Sequence, residues 1–201
     1  MAIRAIILDI GGVLEHNPSL GFDVKWEPEF GAGWPDRVGA VIEAGVIGAI
    51  TLEQVHQQAA AALGVSVDRF EAYMDDAWIE YVGSYNAEVA EYWSARRAEG
   101  YVTAIISNSF VGAREREEAA HRFSELTDIL VYSHEVGLQK PDPAIYELCL
   151  ERLGMRPEET VFVDDHEPNC EAARALGMAV VHFRDTEQAL RELDEILREN
   201  R

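Results

Sequence analysis

Four groups of chemically capable side chains follow short apolar runs in this chain. Asp9 closes the run at residues 4–9 (RAIILD) and leads into Gly11 and Gly12. Ser107 and Asn108 come at the end of residues 102–107 (VTAIIS). Lys140, in QKPDP, lies beyond residues 129–132 (ILVY), and Asp164 and Asp165 end residues 160–164 (TVFVD). A carboxylate pair, a further carboxylate, a hydroxyl, an amide and one lysine suit a phosphate-and-magnesium site. Mg²⁺ takes oxygens from a few carboxylates together with water and phosphate. The lysine and the metal offset the charge of a phosphoryl group approaching a nucleophilic carboxylate, which would otherwise repel it.

These groups are far apart in sequence, so the elements beneath them must gather them. A short apolar run stopped by glycine or a polar residue reads as a strand buried on both faces. Five such runs occur, the last at residues 179–183 (AVVHF). Helical patterns alternate with the later ones. Residues 86–99 end at Gly100; residues 143–153 have Asp142 as N-cap, Pro143 in the first turn and Gly154 as the stop. Residues 168–176 end at Gly177, and residues 186–198 open with Asp185 and with Gln188 three positions on, a capping-box variant. Alternation of this kind predicts an α/β fold in three layers, a Rossmann-like parallel sheet between helices. Parallel strands carry their carboxyl ends to one edge, so the four groups should meet in one crevice.

One segment departs from the alternation. Between about residues 15 and 84 no buried strand is expected, only a loop rich in Gly, Pro and Trp (residues 17–36) followed by helices. Thr51 and Gln54 form a capping box for a helix that runs to Leu63 and stops at Gly64, and Ser66 caps a second through about Val82. The expected organisation is therefore a core of residues 1–14 and 85–201 with a helical insertion, residues 15–84, lying over the carboxyl ends of the strands.

The 201 residues include 17 basic and 37 acidic ones, giving a formal charge of −20. That balance argues against binding nucleic acid, because no basic stripe is available to release counterions. A phosphorylated ligand must then be met by local cations against an unfavourable mean field. No apolar run approaches the ~20 residues of a membrane-spanning helix, and residues 3–10 lack the flanks of a signal peptide. The expectation is a cytoplasmic protein with no membrane partner; oligomeric state leaves no signature. Cys149 and Cys170 form no CxxC pair and read as two buried thiols.

In order and context, the four groups resemble the motifs of the haloacid dehalogenase-like (HAD) superfamily, in the branch with a helical cap inserted after the first strand. The matching segments are LDIGGVL at Asp9, IISNS at Ser107, QKPDP at Lys140 and VFVDDHEPN at Asp164 and Asp165; GAITLEQ resembles the cap. The resemblance implies that Asp9 is a nucleophile that forms an aspartyl-phosphate. It implies that Ser107 and the Asn108 backbone hold the phosphoryl oxygens, and that Lys140 pairs with Asp9 and the phosphoryl group. Magnesium would be held by Asp9, the Gly11 carbonyl and Asp165, with Asp164 as a further ligand or as an orienting partner. Asn169 would hold a metal-bound water or simply start a helix, and Asp142 reads as an N-cap.

Gly11 breaks the pattern. Phosphatases of the superfamily usually carry there a second aspartate that protonates the leaving alcohol and later activates water. Three outcomes follow: a phosphatase with another acid or a good leaving group; a carbon-centred, metal-free hydrolase like the dehalogenases, which also lack that aspartate; or a catalytically weak binder. Adjacent carboxylates at Asp164 and Asp165 would repel a haloacid and disfavour the second. The expectation is a magnesium-dependent hydrolase acting on a small phosphorylated metabolite. His16 and His166, near the first and fourth motifs, titrate in the useful range but read as loop histidines. Trp26, Phe30 and Trp34 are candidate pocket residues. Residues 70, 73, 74, 77, 78 and 81 form a core stripe. Arg114, which could reach an anionic substrate, reads with Glu115, Glu117 and Glu118 as part of a solvated helix face.

Overall fold

The computed structural model of the chain describes residues 2–200. Its elements, in chain order, begin with β1 (Ala5–Leu8) and β2 (Glu15–His16). Then come α1 (Phe22–Phe30), α2 (Trp34–Val46), α3 (Leu52–Leu63), α4 (Val67–Val82), β3 (Ser84–Tyr85) and α5 (Ala87–Ala98). The second half runs β4 (Val102–Ser107), α6 (Ala113–His121), α7 (Phe123–Leu126), β5 (Ile129–Tyr132), α8 (Ser133–Val136), α9 (Pro143–Leu153), β6 (Thr160–Asp164), α10 (Glu167–Leu176), β7 (Ala179–His182) and α11 (Thr186–Glu199).

Five strands form one parallel sheet in the order β5-β4-β1-β6-β7, with β1 at its centre. Ile7 stands opposite Ala104 on one side and Phe162 on the other. Because side chains alternate along a strand, Ile6 and Leu8 face one layer, where they pack with Trp93, Phe123, Leu193 and Leu197. Ile7 faces the other, with Tyr146, Cys149, Phe162 and Ala173. A strand covered on both faces has no polar side, which is why each run reads as continuously apolar. The helices begin and end where the sequence signals them. Asp142 accepts from the Ala144 N–H at 2.9 Å, Asp185 from the Gln188 N–H at 2.8 Å, and Thr51 and Gln54 close a reciprocal capping box.

Residues 15–84 differ from expectation in two respects. The stretch 17–36 is not a loop: α1 and the start of α2 occupy it, and Trp26, Phe30 and Trp34 are buried. Their rings stack edge-on with Tyr73 of α4, so the aromatics that interrupt the sequence pattern are the core of the insertion. The segment also does carry strand, since β2 pairs antiparallel with β3 and ties its two ends together. A two-residue pair has too few side chains to show period-2 alternation in a sequence.

The insertion is seated on the core by close contacts. Phe110, after β4, joins the buried cluster of Trp34, Val38, Phe70 and Trp78. Gly45 has no side chain because the Phe110 ring occupies that place; a Cβ there would lie 2.8 Å from its Cζ. The Val111 N–H donates to the Gly45 carbonyl at 3.2 Å and the Ser133 hydroxyl to the Val46 carbonyl at 2.8 Å. Among the described residues no helix is long and apolar enough to cross a membrane.

Candidate active site

The carboxyl ends of β1, β4 and β6 deliver Asp9, Ser107 and Asp164 to one edge, and the Asp9 N–H extends the ladder to the Val163 carbonyl at 3.0 Å. Lys140 arrives from outside the sheet, and Asn108 fixes it. The Asn108 Oδ1 accepts from the Lys140 N–H at 2.7 Å while its Nδ2 donates to the Lys140 carbonyl at 2.8 Å. From that anchor the buried lysine Nζ lies 2.8 Å from Asp9 Oδ1 and 2.6 Å from Asp164 Oδ2.

Asp164 is wholly buried and closely held. Besides Lys140, it accepts from the His166 N–H at 2.8 Å and from Asn169 Nδ2 at 3.0 and 3.1 Å. Asn169 is therefore neither a bare helix start nor free to turn, for its amide is committed to Asp164. Burial, opposed by Lys140 and reinforced by the charge of Asp164, raises the Asp9 carboxyl to about 7. Burial alone would lower the Lys140 ammonium, but Asp9 and Asp164 more than reverse this and hold it above its ordinary value.

Asp165 stands next to this network, with its carboxylate over Gly12. That glycine has φ +75°, and a Cβ on it would lie 2.6 Å from Asp165 Cγ. The glycine thus serves both the left-handed turn and the close approach. Oxygens of Asp9, Asp164 and Asp165 come within 4.8 Å of one another. Burial and the neighbouring Asp164 raise the Asp165 carboxyl. Three acidic groups share one lysine, and the excess charge and hard oxygen donors fit a divalent cation such as Mg²⁺.

Asp9, Gly11, Ser107 and Asn108 open onto a cavity of about 190 Å³, whose other walls are Glu15, Asn17, Tyr81 and Glu117. Through Tyr81 and Asn108 it adjoins an apolar cavity of about 240 Å³ bordered by Ile42, Val46, Met74, Trp78 and Phe110. The structure therefore brings together Asp9, Gly11, Ser107, Asn108, Lys140, Asp164 and Asp165. It also adds two carboxyls that sequence reasoning passes over. Glu15 and Glu117 are each only 1% exposed. Burial and the charge of Glu117 push Glu15 up to about 9, and burial pushes Glu117 to about 7. The acidic run in α6 is thus a solvated face at Glu115 but not at Glu117. The sequence signal that would have separated them is weak: helical spacing puts Ala113 and Glu117 on one face.

The remaining candidates do not line the cavity at Asp9. His16 and His166 are exposed, His16 bordering a separate opening with Gly12 and Asp165. Trp26, Phe30 and Trp34 belong to the core of the insertion, and Arg114 pairs with both oxygens of Glu135 at 2.8 and 2.9 Å. Cys149 and Cys170 are buried free thiols, both raised by burial.

A family model for haloacid dehalogenase-like hydrolases matches residues 3–177. Among curated proteins, bifunctional epoxide hydrolase 2 of Rattus norvegicus is 36% identical over 117 residues, 56% of this chain and 21% of that protein. The match thus covers only about a fifth of this relative. An (S)-2-haloacid dehalogenase of a Pseudomonas strain is 36% identical over 92 residues (44% of this chain, 39% of that one). A phosphorylated carbohydrates phosphatase of Thermotoga maritima is 41% identical over 69 residues (32% of each). Among solved structures, a HAD family enzyme of Bacteroides thetaiotaomicron, crystallised with magnesium, superimposes with a TM-score of 0.79. It is 22% identical, covering 90% of this chain and 93% of that one.

Proposed function

The chain belongs to the haloacid dehalogenase-like hydrolases, and we propose that within that family it is a magnesium-dependent phosphatase of a small phosphorylated metabolite. The observation that carries this reading is the gathering of Asp9, Asp164 and Asp165 within 4.8 Å around a single lysine. Asp9 and Asp165, with the Gly11 carbonyl, would hold the metal. Asp164, whose oxygens already accept from Lys140, Asn169 and the His166 N–H, orients the lysine. When bound, Mg²⁺ supplies charge neutralisation for the phosphoryl group.

Asp9 Oδ attacks phosphorus and forms an aspartyl-phosphate, which water hydrolyses. Lys140, held by Asn108, keeps Asp9 ionised enough to attack and faces the incoming phosphoryl oxygens. Ser107, at the end of β4 and bordering the same cavity as Asp9, donates to those oxygens. Residues 15–84 act as the cap over the site, and core and cap divide at 1–14 and 85–201 against 15–84.

A metal-free reaction at carbon is the second reading, favoured by Gly11 and by the similarity to the haloacid dehalogenase. It asks a carboxylate substrate to approach three carboxylates with one lysine, which Coulomb repulsion opposes. A screen of phosphorylated metabolites with Mg²⁺, with Asp9→Asn as the blank, tests the proposal. Phosphate release by the wild type alone, abolished by EDTA, is the expected result. Turnover that EDTA leaves untouched would favour the carbon-centred reaction. Stabilisation by Mg²⁺ and phosphate without any product would identify a binder.

A further inference from the structure

The proposed reaction needs a proton for the leaving oxygen, and Gly11 cannot give one. Its side-chain position is open: a Cβ there meets only Asn17 Oδ1, at 3.5 Å. The groups around the cavity decide what stands in. Glu15 faces two nitrogen-bearing side chains, with Asn17 Nδ2 3.5 Å from its Oε2 and His121 Nε2 3.3 Å from its Oε1. Glu117 faces none, its side-chain neighbour being the Tyr132 hydroxyl. One of its carboxyl oxygens, Oε2, is buried without a hydrogen-bond partner among the described residues, and the side chain borders the cavity that contains Asp9.

The titratable groups around Glu117 come from every element packed there. They are Glu15 of β2, Tyr81 of α4, Tyr132 of β5 and Asp9 after β1, with His121 one turn further along α6. Neighbouring cations are committed elsewhere: Arg114 to Glu135, and Arg116 to the Gly112 carbonyl and the Trp78 face. A buried carboxyl with acidic and phenolic neighbours and no cation is held in its neutral form. A neutral carboxyl is a hydrogen-bond donor.

Building on the phosphatase reading, we infer that Glu117 is the catalytic acid and base of this site, doing from α6 what an aspartate at position 11 does elsewhere in the superfamily. As the Asp9 oxygen bonds to phosphorus, the ester P–O bond breaks and its electron pair stays on the leaving oxygen. The Glu117 proton passes to that oxygen, and the alcohol departs. Glu117, now a carboxylate, takes a proton from the attacking water. The water oxygen bonds to phosphorus, the Asp9–phosphorus bond breaks, and phosphate leaves with Asp9 and protonated Glu117 restored. Burial holds Glu117 up to about 7, which keeps the acid form available near neutrality and returns it readily between turnovers.

The experiment compares wild type, Glu117→Gln and Glu117→Gln/Gly11→Asp on two esters in saturating Mg²⁺. One is 4-nitrophenyl phosphate, whose leaving group needs no proton, and the other is 2-phenylethyl phosphate, whose leaving group does. Glu117→Gln is expected to lower kcat/KM for the alkyl ester about 100-fold or more and for the aryl ester less than about fivefold. It should also remove the basic limb of the alkyl pH profile. The double variant should recover alkyl turnover, because the open position at Gly11 accepts the aspartate. If Glu117→Gln does not fold, Glu117→Asp, which keeps the acid but shortens its reach, should show the same selective loss on the alkyl ester. Equal losses on both esters, or an alkyl rate that the variant preserves, would overturn the assignment of Glu117 and leave the phosphatase standing. A wild type that turns over neither ester would bring down the phosphatase reading and the assignment with it.

Discussion

Replacing Lys140 by methionine isolates what the central cation contributes to the folded chain. The lysine side chain has no exposure, Asp164 has none and Asp9 has 12%, with Nζ–O separations of 2.6 and 2.8 Å. Methionine keeps an unbranched stem of similar length and lacks the ammonium, which lies 5.7 Å from the Phe162 ring centroid, so the substitution deletes charge rather than volume. Asp164 keeps Asn169 and the His166 N–H, while Asp9 keeps the Ile10 N–H. Neither retains a cation. Removing one partner of a buried ion pair costs about 3–5 kcal/mol, and that loss is expected for Lys140→Met at about pH 8 in EDTA. The pH dependence has a definite sign. Burial already raises Asp9 from an ordinary carboxylate value to about 7 with the lysine present; without it the folded-state value rises further. A carboxyl raised on folding stabilises below its unfolded value and loses that contribution as pH climbs through the folded one. The deficit should therefore shrink toward about pH 5, where Asp9 carries its proton in the fold. Urea unfolding followed by circular dichroism at the two pH values measures it. Millimolar Mg²⁺, a substitute positive charge, should recover part of the loss at the higher pH. A variant within about 1 kcal/mol of wild type at about pH 8, or a deficit that pH does not change, would refute the claim that Lys140 neutralises two buried carboxylates.

Two further substitutions probe groups around the same centre. Gly12→Ala puts a Cβ 2.6 Å from Asp165 Cγ at φ +75°; it should cost about 1–2 kcal/mol in backbone strain and weaken Mg²⁺ binding about 10–100-fold by calorimetry, and unchanged affinity would show that Asp165 is not held as a ligand. Glu15 is raised from 4.5 to about 9, chiefly by burial, so wild-type stability should fall between about pH 6 and 9 by at most about 4 kcal/mol as the fold is forced to ionise it. Glu15→Gln removes that dependence and should melt above wild type at the alkaline end, whereas parallel melting curves across the range would count against a protonated Glu15.

The legible part of this chain is the part built from local rules. β4, β5 and β6 stand at the residues the apolar runs mark, and Asp142 and Asp185 cap the helices they precede. The site residues could be gathered in advance because parallel strands share an edge, a topological fact that needs no coordinates. Glu117 shows where this stops. It sits among Arg114, Glu115, Arg116 and Glu118, and local composition describes a solvated face. Yet α6 packs against α4 and turns this single acid inward beside Tyr81 and Tyr132. Which acid of a charged helix is buried depends on tertiary packing, and so does the clamp of Asn108 on Lys140, formed across 32 residues. The helices in residues 17–36 escaped for a different reason. Glycine and proline mark breaks in a local reading, whereas here Gly21 and Gly33 occupy N-cap positions and Pro35 lies in a first turn, so the same residues punctuate helices rather than exclude them.

Charge ties the inferred acid to the proposed metal. Asp9, Glu15, Glu117, Asp164 and Asp165 with Lys140 would carry a net charge of −4 if all were ionised, in a chain whose formal charge is already −20. A phosphate dianion does not enter such a chamber. Proton retention on Glu15 and Glu117 halves the deficit, and one divalent cation cancels the rest. The two devices are therefore not alternatives: without the cation the phosphoryl group is repelled by the aspartates, and without the protons the cation is outnumbered. It follows that raising pH above the range in which Glu117 stays neutral should weaken phosphate binding even at saturating Mg²⁺. Glu117→Gln, neutral at every pH, should hold that affinity while losing alkyl ester turnover. Binding and catalysis would then part company in a single variant, which a residue of merely structural importance would not produce.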